Sequence, residues 1–266
     1  MGDESSRMAR IPGIRRFLEA RFARRFASEV PDGGNWYRGV YGTFAEARAH
    51  VPAARPIGYD HAETAALYRD RTRRVYPSDY PVMFWLARCF AGGARSVFDL
   101  GGHIGIGYYA YRRYLDYPEG LRWLVHDVPA VNASGIAHAR DHDPERRLGF
   151  TASATDADGT DVLFASGSLQ YLDYALPDLL ARLANPPRTL LLNLVPVHPT
   201  KGFFTVQNMG AAFCPYRISA ERPFVDGIKA TGYTLRDRWE NLEKACRIAF
   251  EPEHSLDRYF GFCFER

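Results

Sequence analysis

The segment Ser96-Val97-Phe98-Asp99-Leu100-Gly101-Gly102-His103-Ile104-Gly105 runs from an apolar stretch through an acid into glycines and then a helical pattern. Glycines at such a turn let the backbone approach a ligand closely, and a helix start offers amides to a negative group. The same device serves dinucleotides, so the glycines alone do not choose a ligand. Asp99 helps to choose. A carboxylate two residues before Gly101 repels a pyrophosphate and suits a cationic group such as an ammonium or a sulfonium. The competing reading is a tight strand-to-helix turn that binds nothing.

A second acid follows at the right interval. Leu121-Arg122-Trp123-Leu124-Val125-His126 ends in Asp127, 22 positions after Gly105. At about that spacing a carboxylate on the neighbouring strand tip accepts hydrogen bonds from ribose hydroxyls. An ordinary helix cap ahead of Val128-Pro129 is the plainer alternative. A third segment, Val162 to Ala165, opens into Ser166-Gly167-Ser168-Leu169-Gln170-Tyr171, which belongs beside the crevice where open α/β sheets bind ligands. Gly-x-Ser-x-Gly is not formed, since Ser168 is followed by Leu169-Gln170, so a hydrolase nucleophile is not expected there.

Residues able to serve an acceptor are more scattered. His198 follows the apolar run Leu190 to Val195 and has the titration range of a general base; a solvated loop histidine is the alternative. His103 is the second candidate base. Gln170, Tyr171, Gln207, Asn208 and Tyr216 follow strand ends and are candidate substrate contacts, while Tyr76 and Tyr80 are placed to cover a ligand. Tyr108, Tyr109, Tyr111 and Tyr114 are expected to pack on the sheet. His138 and His142 stand one helical turn apart, but Arg140, Arg146 and Arg147 around them disfavour a cation, and no metal is expected.

The elements that must position these residues follow from the pattern. From Gly92 onward, short apolar runs (Ser96–Leu100, Leu121–Val125, Val162–Ala165, Leu190–Val195) alternate with helical stretches at about 104–115, 130–140 and 175–184. This alternation argues a parallel sheet with helices on both faces. Segments at 203–208, 233–239, 245–250 and 259–265, with a helix near 220–231, are expected to finish the sheet as an antiparallel edge. Residues 1–91 read as a mostly helical cover ahead of a nucleoside-binding domain at 92–266. Within that cover, Thr43-Phe44-Ala45-Glu46 has the spacing of a capping box, and helices are expected near 62–75 and 78–91.

Composition narrows the partners. The chain has 266 residues, 46% hydrophobic and 24% charged, with 34 bases against 31 acids. Residues 1–30 hold seven arginines and four acids, so the whole +3 excess sits there and the remainder is neutral. No extended nucleic-acid surface is expected from that balance. Ile14, Phe17, Leu18, Phe22 and Phe26 give residues 10–30 an apolar face among arginines, which suits packing on the domain, a homodimer contact, or a membrane surface. Cysteines 89, 214, 246 and 263 are too dispersed for a disulfide framework or a zinc site, and no apolar run reaches the ~18 residues of a membrane span. A cytoplasmic location is the expectation.

Asp99-Leu100-Gly101-Gly102 with Gly105, the Asp127 strand tip and Ser166-Gly167-Ser168-Leu169-Gln170-Tyr171 together resemble the class I S-adenosylmethionine-dependent methyltransferases. Trp36-Tyr37-Arg38-Gly39 and Thr205-Val206-Gln207-Asn208 extend the likeness to a group of bacterial methyltransferases from surface-glycan and secondary-metabolite gene neighbourhoods. The resemblance implies a Rossmann-like, doubly wound, mostly parallel seven-stranded sheet and S-adenosylmethionine as cofactor. It places Asp99, Gly101, Gly102 and Gly105 at the methionine end and Asp127 on the ribose. Val128 and Ser153 would lie by the adenine, and Ser166 and Gly167 under the sulfonium. Two positions depart from the family pattern: His103 stands where a third glycine is usual, and Asp127 where glutamate is frequent. The implied activity is methylation of a small molecule, sugar or peptide-derived metabolite, with O-methylation of a hydroxyl or carboxylate first. N-methylation, a nicotinamide-dependent oxidoreductase and a non-catalytic nucleoside binder are the alternatives.

Overall fold

A computed structural model describes residues 12–32, 34–60 and 69–266. Its strands are β1 (Trp36–Tyr41), β2 (Ser96–Leu100), β3 (Arg122–His126), β4 (Leu148–Thr151), β5 (Val162–Ser166), β6 (Thr189–Val195), β7 (Val197–His198), β8 (Phe203–Asn208), β9 (Phe213–Ala220), β10 (Thr234–Asn241) and β11 (Tyr259–Glu265). Its described α-helices are α1 (Pro12–Ser28), α2 (Phe44–Ala49), α3 (Tyr80–Ala91), α4 (Ile106–Tyr111), α5 (Pro129–His142), α6 (Leu176–Leu180) and α7 (Glu221–Ala230).

Seven strands form one sheet in the order β10-β11-β6-β5-β2-β3-β4. Strands β2 to β6 run parallel, and β11 joins β6 antiparallel, with β10 outermost. This is the mostly parallel sheet with an antiparallel edge expected from the sequence. Side chains alternate between two apolar layers, as a pleated strand requires. Phe98, Leu163, Leu190 and Phe262 face Leu176, Leu179, Leu180 and Ile228 of α6 and α7. Val97, Val162, Phe164 and Leu191 face Val82, Met83, Leu86 and Phe90 of α3, together with the tyrosines of α4. Of those tyrosines, Tyr108, Tyr109 and Tyr111 are buried as expected, whereas Tyr114 is 57% exposed beyond the end of the helix.

The remaining strands build something the pattern did not suggest. β1, β8, β9 and β7 make a separate four-stranded sheet, in that order. Phe203–Asn208 therefore pairs with Trp36–Tyr41 and β9 and does not extend the main edge. The expected strand at 245–250 supplies only isolated bridges, Tyr37 to Ile248 and Cys246 to Leu256. Trp36–Tyr41 is rich in aromatic and β-branched residues that favour strands. Its alternation is broken by Gly39, which sits at φ +78°, and the pairing register shifts between Arg38 and Tyr41. That break hides a strand inside a segment read as helical cover.

Around this sheet the front of the chain is tied down by ordinary means. Thr43 Oγ1 accepts from Glu46 N at 3.1 Å and Glu46 Oε2 accepts from Thr43 N at 3.1 Å, completing the expected capping box. Helix α1 buries Phe26 against Phe213 and packs Phe22 on Trp36 and Phe250, leaving Ile14 and Phe17 exposed. Half of the helix expected at 62–75, residues 62–68, lies outside the described residues; Arg69–Arg73 is a short 3-10 turn. Among the described residues, no helix is long and apolar enough to cross a membrane.

Candidate active site

The strand order reverses direction around β2, whose neighbours are β3 on one side and β5 on the other. In an open parallel sheet this switch point leaves a crevice outside the strand tips. Here the crevice is a cavity of about 290 Å³ lined by Asp99, Gly101, Gly102, His103, Ile106, Tyr111, Ser166, Leu194 and residues of the approaching loops.

Asp99 lies at its floor. It is 1% exposed, and its Oδ2 accepts from the indole Nε1 of Trp123 at 3.0 Å. Burial pushes the carboxyl up to about 7, the Trp123 hydrogen bond opposes this, and the Asp127 charge adds to it. The two glycines fit the turn for different reasons. Gly101 has φ +75°, and a Cβ there would lie 2.3 Å from Ser168 Cβ. A Cβ on Gly102 would fall 2.3 Å from Asp99 Cγ, so only glycine lets the chain cross directly above the acid. His103 follows in the left-handed region at φ +57° and is among the residues lining the cavity.

Asp127 does not line this cavity. Its Oδ2 accepts from His103 N at 2.9 Å and its Oδ1 from Val128 N at 2.8 Å, clamping the glycine turn to the start of α5. Burial raises it to about 6 against those two amide bonds. Val128 and Gly105 cap α5 and α4, and Gly105 needs its φ of +88°. Ser153 caps a short 3-10 turn, its Oγ 2.8 Å from Thr155 Oγ1. Gly167, at φ +67°, carries the chain away from β5. These residues surround the turn, and the cavity itself gathers Asp99, Gly101, Gly102, His103 and Ser166 from the expected set, together with Tyr76.

Several expected acceptor contacts have other roles. Both ring nitrogens of His198 are engaged: Nδ1 accepts from Thr200 N at 3.1 Å and Lys201 N at 3.0 Å, while Nε2 lies 3.0 Å from the Glu253 carbonyl. That pattern makes it a brace for the turn after β7, and burial lowers its pKa. Gln207 is 1% exposed and donates to Tyr37 Oη at 3.1 Å; Tyr216, also 1% exposed, shares a 2.8 Å hydrogen bond with Tyr259. Both stand inside the second sheet, where strand alternation turned them inward. Asn208 is likewise buried, donating to Phe26 O and Glu29 O. Tyr80 opens α3, is 57% exposed and does not line the cavity. Tyr171 packs edge-on against Tyr59 and Tyr216. Gln170 borders a second cavity. His138 and His142 stack at 4.0 Å, and no metal-ligating cluster is found among the described residues.

The cavity also contains residues that strand-tip reasoning passed over. Asp79 accepts from Tyr76 N at 2.8 Å and from Tyr111 Oη at 2.9 Å, and burial raises its pKa. Glu243 and Lys244 arrive from the loop after β10, and burial lowers the lysine. Arg71 and Arg74 complete a lining with acids and bases both present. Such a lining accommodates a ligand end that carries both charges.

No protein-family model matches the chain, and no curated protein matches it. Among solved structures, it is similar to 1,6-didemethyltoxoflavin-N1-methyltransferase from Burkholderia thailandensis, with 17% identity, TM-score 0.46, and coverage of 71% of this chain and 78% of that one. It is also similar to the CcbJ methyltransferase from Streptomyces caelestis, with 14% identity, TM-score 0.47, and coverage of 78% and 96%. The [4+2]-cyclase SpnF is similar at 15% identity and TM-score 0.48, with coverage of 70% and 80%. Likeness at this level assigns no chemistry to the chain.

Proposed function

We propose that this protein is an S-adenosylmethionine-dependent methyltransferase acting on a small-molecule acceptor, with O-methylation as its chemistry. The observation that carries the reading is the buried Asp99 directly beneath the Gly101-Gly102 turn, at the sheet's switch point. An isolated carboxylate there costs stability, and an ammonium supplied by a ligand recovers it. A dinucleotide pyrophosphate would aggravate the same cost. The residues therefore fit the methionine end of S-adenosylmethionine: Asp99 toward its ammonium, with Arg71, Arg74 and Lys244 available to its carboxylate.

When bound, that cofactor supplies a methyl carbon on a sulfonium, open to in-line displacement. The chain's own work is alignment and exclusion of water. Ser166 and Leu194, at the tips of β5 and β6, form the wall of the cavity beside the glycine turn. His103 is the histidine in the lining, and it takes the proton when a hydroxyl is the acceptor; a carboxylate acceptor needs no base.

Isothermal titration with S-adenosylmethionine, S-adenosylhomocysteine and NAD tests the reading. Saturable binding of both adenosyl ligands with none of NAD is expected. Binding of NAD alone would overturn it in favour of an oxidoreductase.

A further inference from the structure

A second cavity, of about 510 Å³, lies on the other side of the β5 and β6 tips. Its walls are Leu169, Leu172, Leu176, Val195, Phe203, Phe204, Ile218 and Phe224, so most of it is apolar. The volume is within the range of small-molecule sites, and the wall includes a short set of polar groups, as such sites do.

Those polar groups are incompletely bonded. Arg217 Nη2 donates to Leu172 O at 3.3 Å and its guanidinium sits 4.9 Å from the Phe204 ring centroid. Its Nε is buried with no hydrogen-bond partner, and among the described residues it forms no ion pair. Asp173 and Asp178 are the acids that act on it electrostatically; both are exposed, and burial still lowers its pKa. Gln170 is 5% exposed, yet its Oε1 has no partner, and neither does the buried Tyr174 Oη. Buried donors and acceptors in folded proteins are nearly always satisfied, so three orphans on residues that line one cavity need an explanation.

We propose that this cavity is a binding site for small apolar carboxylic acids, with the ligand's carboxylate on the Nε edge of Arg217. A carboxylate matches the fork of a guanidinium and accepts two parallel hydrogen bonds from it. Tyr174 Oη donates to the same group. Gln170 Oε1 accepts from a hydroxyl or amide elsewhere on the ligand. The phenylalanines and leucines take the apolar body. A phosphate or sulfate alone would leave most of the cavity wall without contacts. The site stands on this wall and does not depend on the methyl-transfer reading.

The probe pair is 2-naphthoate and its neutral relative 2-naphthylmethanol, titrated by calorimetry into the full chain. The acid is expected to bind saturably, and roughly 10- to 100-fold more tightly than the alcohol, the range for a desolvated charge-assisted hydrogen bond. Arg217→Met should bring the acid down to the level of the alcohol with the alcohol's affinity retained. Tyr174→Phe should weaken the acid alone, and this variant carries the test if Arg217→Met fails to fold by circular dichroism. Lys244→Met, on the first cavity, should leave naphthoate affinity within twofold. Equal binding of acid and alcohol, discrimination that survives both Arg217→Met and Tyr174→Phe, loss of the acid in Lys244→Met, or no saturable binding of the acid in the millimolar range would each overturn the proposal.

Discussion

Replacing Asp99 with asparagine should make the protein more stable at alkaline pH while removing its ligand. Among the described residues Asp99 has one hydrogen bond, from Trp123, and it is 1% exposed. Its carboxyl moves from an ordinary 3.8 to about 7 on folding, chiefly through burial. Because the folded pKa is raised, the folded state holds the proton more tightly than the unfolded chain between those values. Stability from this group therefore falls as pH rises from about 4 to about 7, and the full cost is present above 7. At ~1.4 kcal/mol per pH unit, the cost is on the order of 4 kcal/mol. Asparagine keeps the shape and an acceptor for Trp123 but introduces an amide that needs a partner, which returns about 1 to 2 kcal/mol. A net gain of ~2 to 3 kcal/mol corresponds to a rise of roughly 4 to 12 °C in Tm at pH 8. The assay is thermal unfolding of both proteins, ligand-free, by circular dichroism at pH 5 and pH 8. At pH 5 the wild-type acid is largely protonated in the fold, so the gap should shrink by more than half. A gap that does not change with pH, or a variant less stable at pH 8 than the wild type, would refute the reasoning. The same variant should lose saturable binding of S-adenosylhomocysteine.

Two further substitutions separate site from scaffold. Gly102→Ala drives a Cβ to within 2.3 Å of Asp99 Cγ, so calorimetry should show at least about a tenfold loss of affinity for S-adenosylhomocysteine. His198→Ala removes the acceptor of two amides and a contact to Glu253 O, so urea unfolding should show about 1 to 2 kcal/mol less stability. Cofactor affinity should stay within twofold in that variant; a selective loss of affinity or turnover would restore a catalytic histidine.

Strands β2, β5 and β6 were legible because, buried on both faces, they read as short apolar runs between helical patterns, whereas the half-exposed β4 (Leu148–Thr151) carries no such run and was not expected. The glycine turn was legible because glycine and a misplaced acid are local signals that survive without knowledge of the fold. Residues whose role depends on which face a strand presents were harder. Gln207 and Tyr216 follow strand-tip logic in the sequence, yet they point into the second sheet, toward Tyr37 and Tyr259. That sheet joins Trp36–Tyr41 to strands more than 160 residues away, a pairing that no local pattern encodes. Lys244 and Asp79 reach the cavity from loops on different elements, and only the assembled fold brings them to Asp99.

The two cavities also explain why the net charge carried so little information. One is lined by paired signs that cancel, and the other by a guanidinium in an apolar wall. What separates them is a short piece of backbone. Leu194, at φ +53°, is a non-glycine residue in the left-handed region, at a cost of about 1 to 3 kcal/mol. It lines the first cavity, while the next residue, Val195, lines the second. The conformation is held from one residue earlier. Asn193 Oδ1 accepts from Trp239 Nε1 and Asn241 Nδ2, each at 3.1 Å, its Nδ2 donates to Ser166 Oγ at 3.3 Å, and its carbonyl accepts from Gly167 N at 2.9 Å. An asparagine bonded on every side thus fixes a strained leucine, and the strained leucine divides a charged chamber from an apolar one at the tip of a single strand. A fold that needed only to close its sheet would have ended β6 in relaxed backbone; ending it this way places two chemically different chambers within one residue of each other.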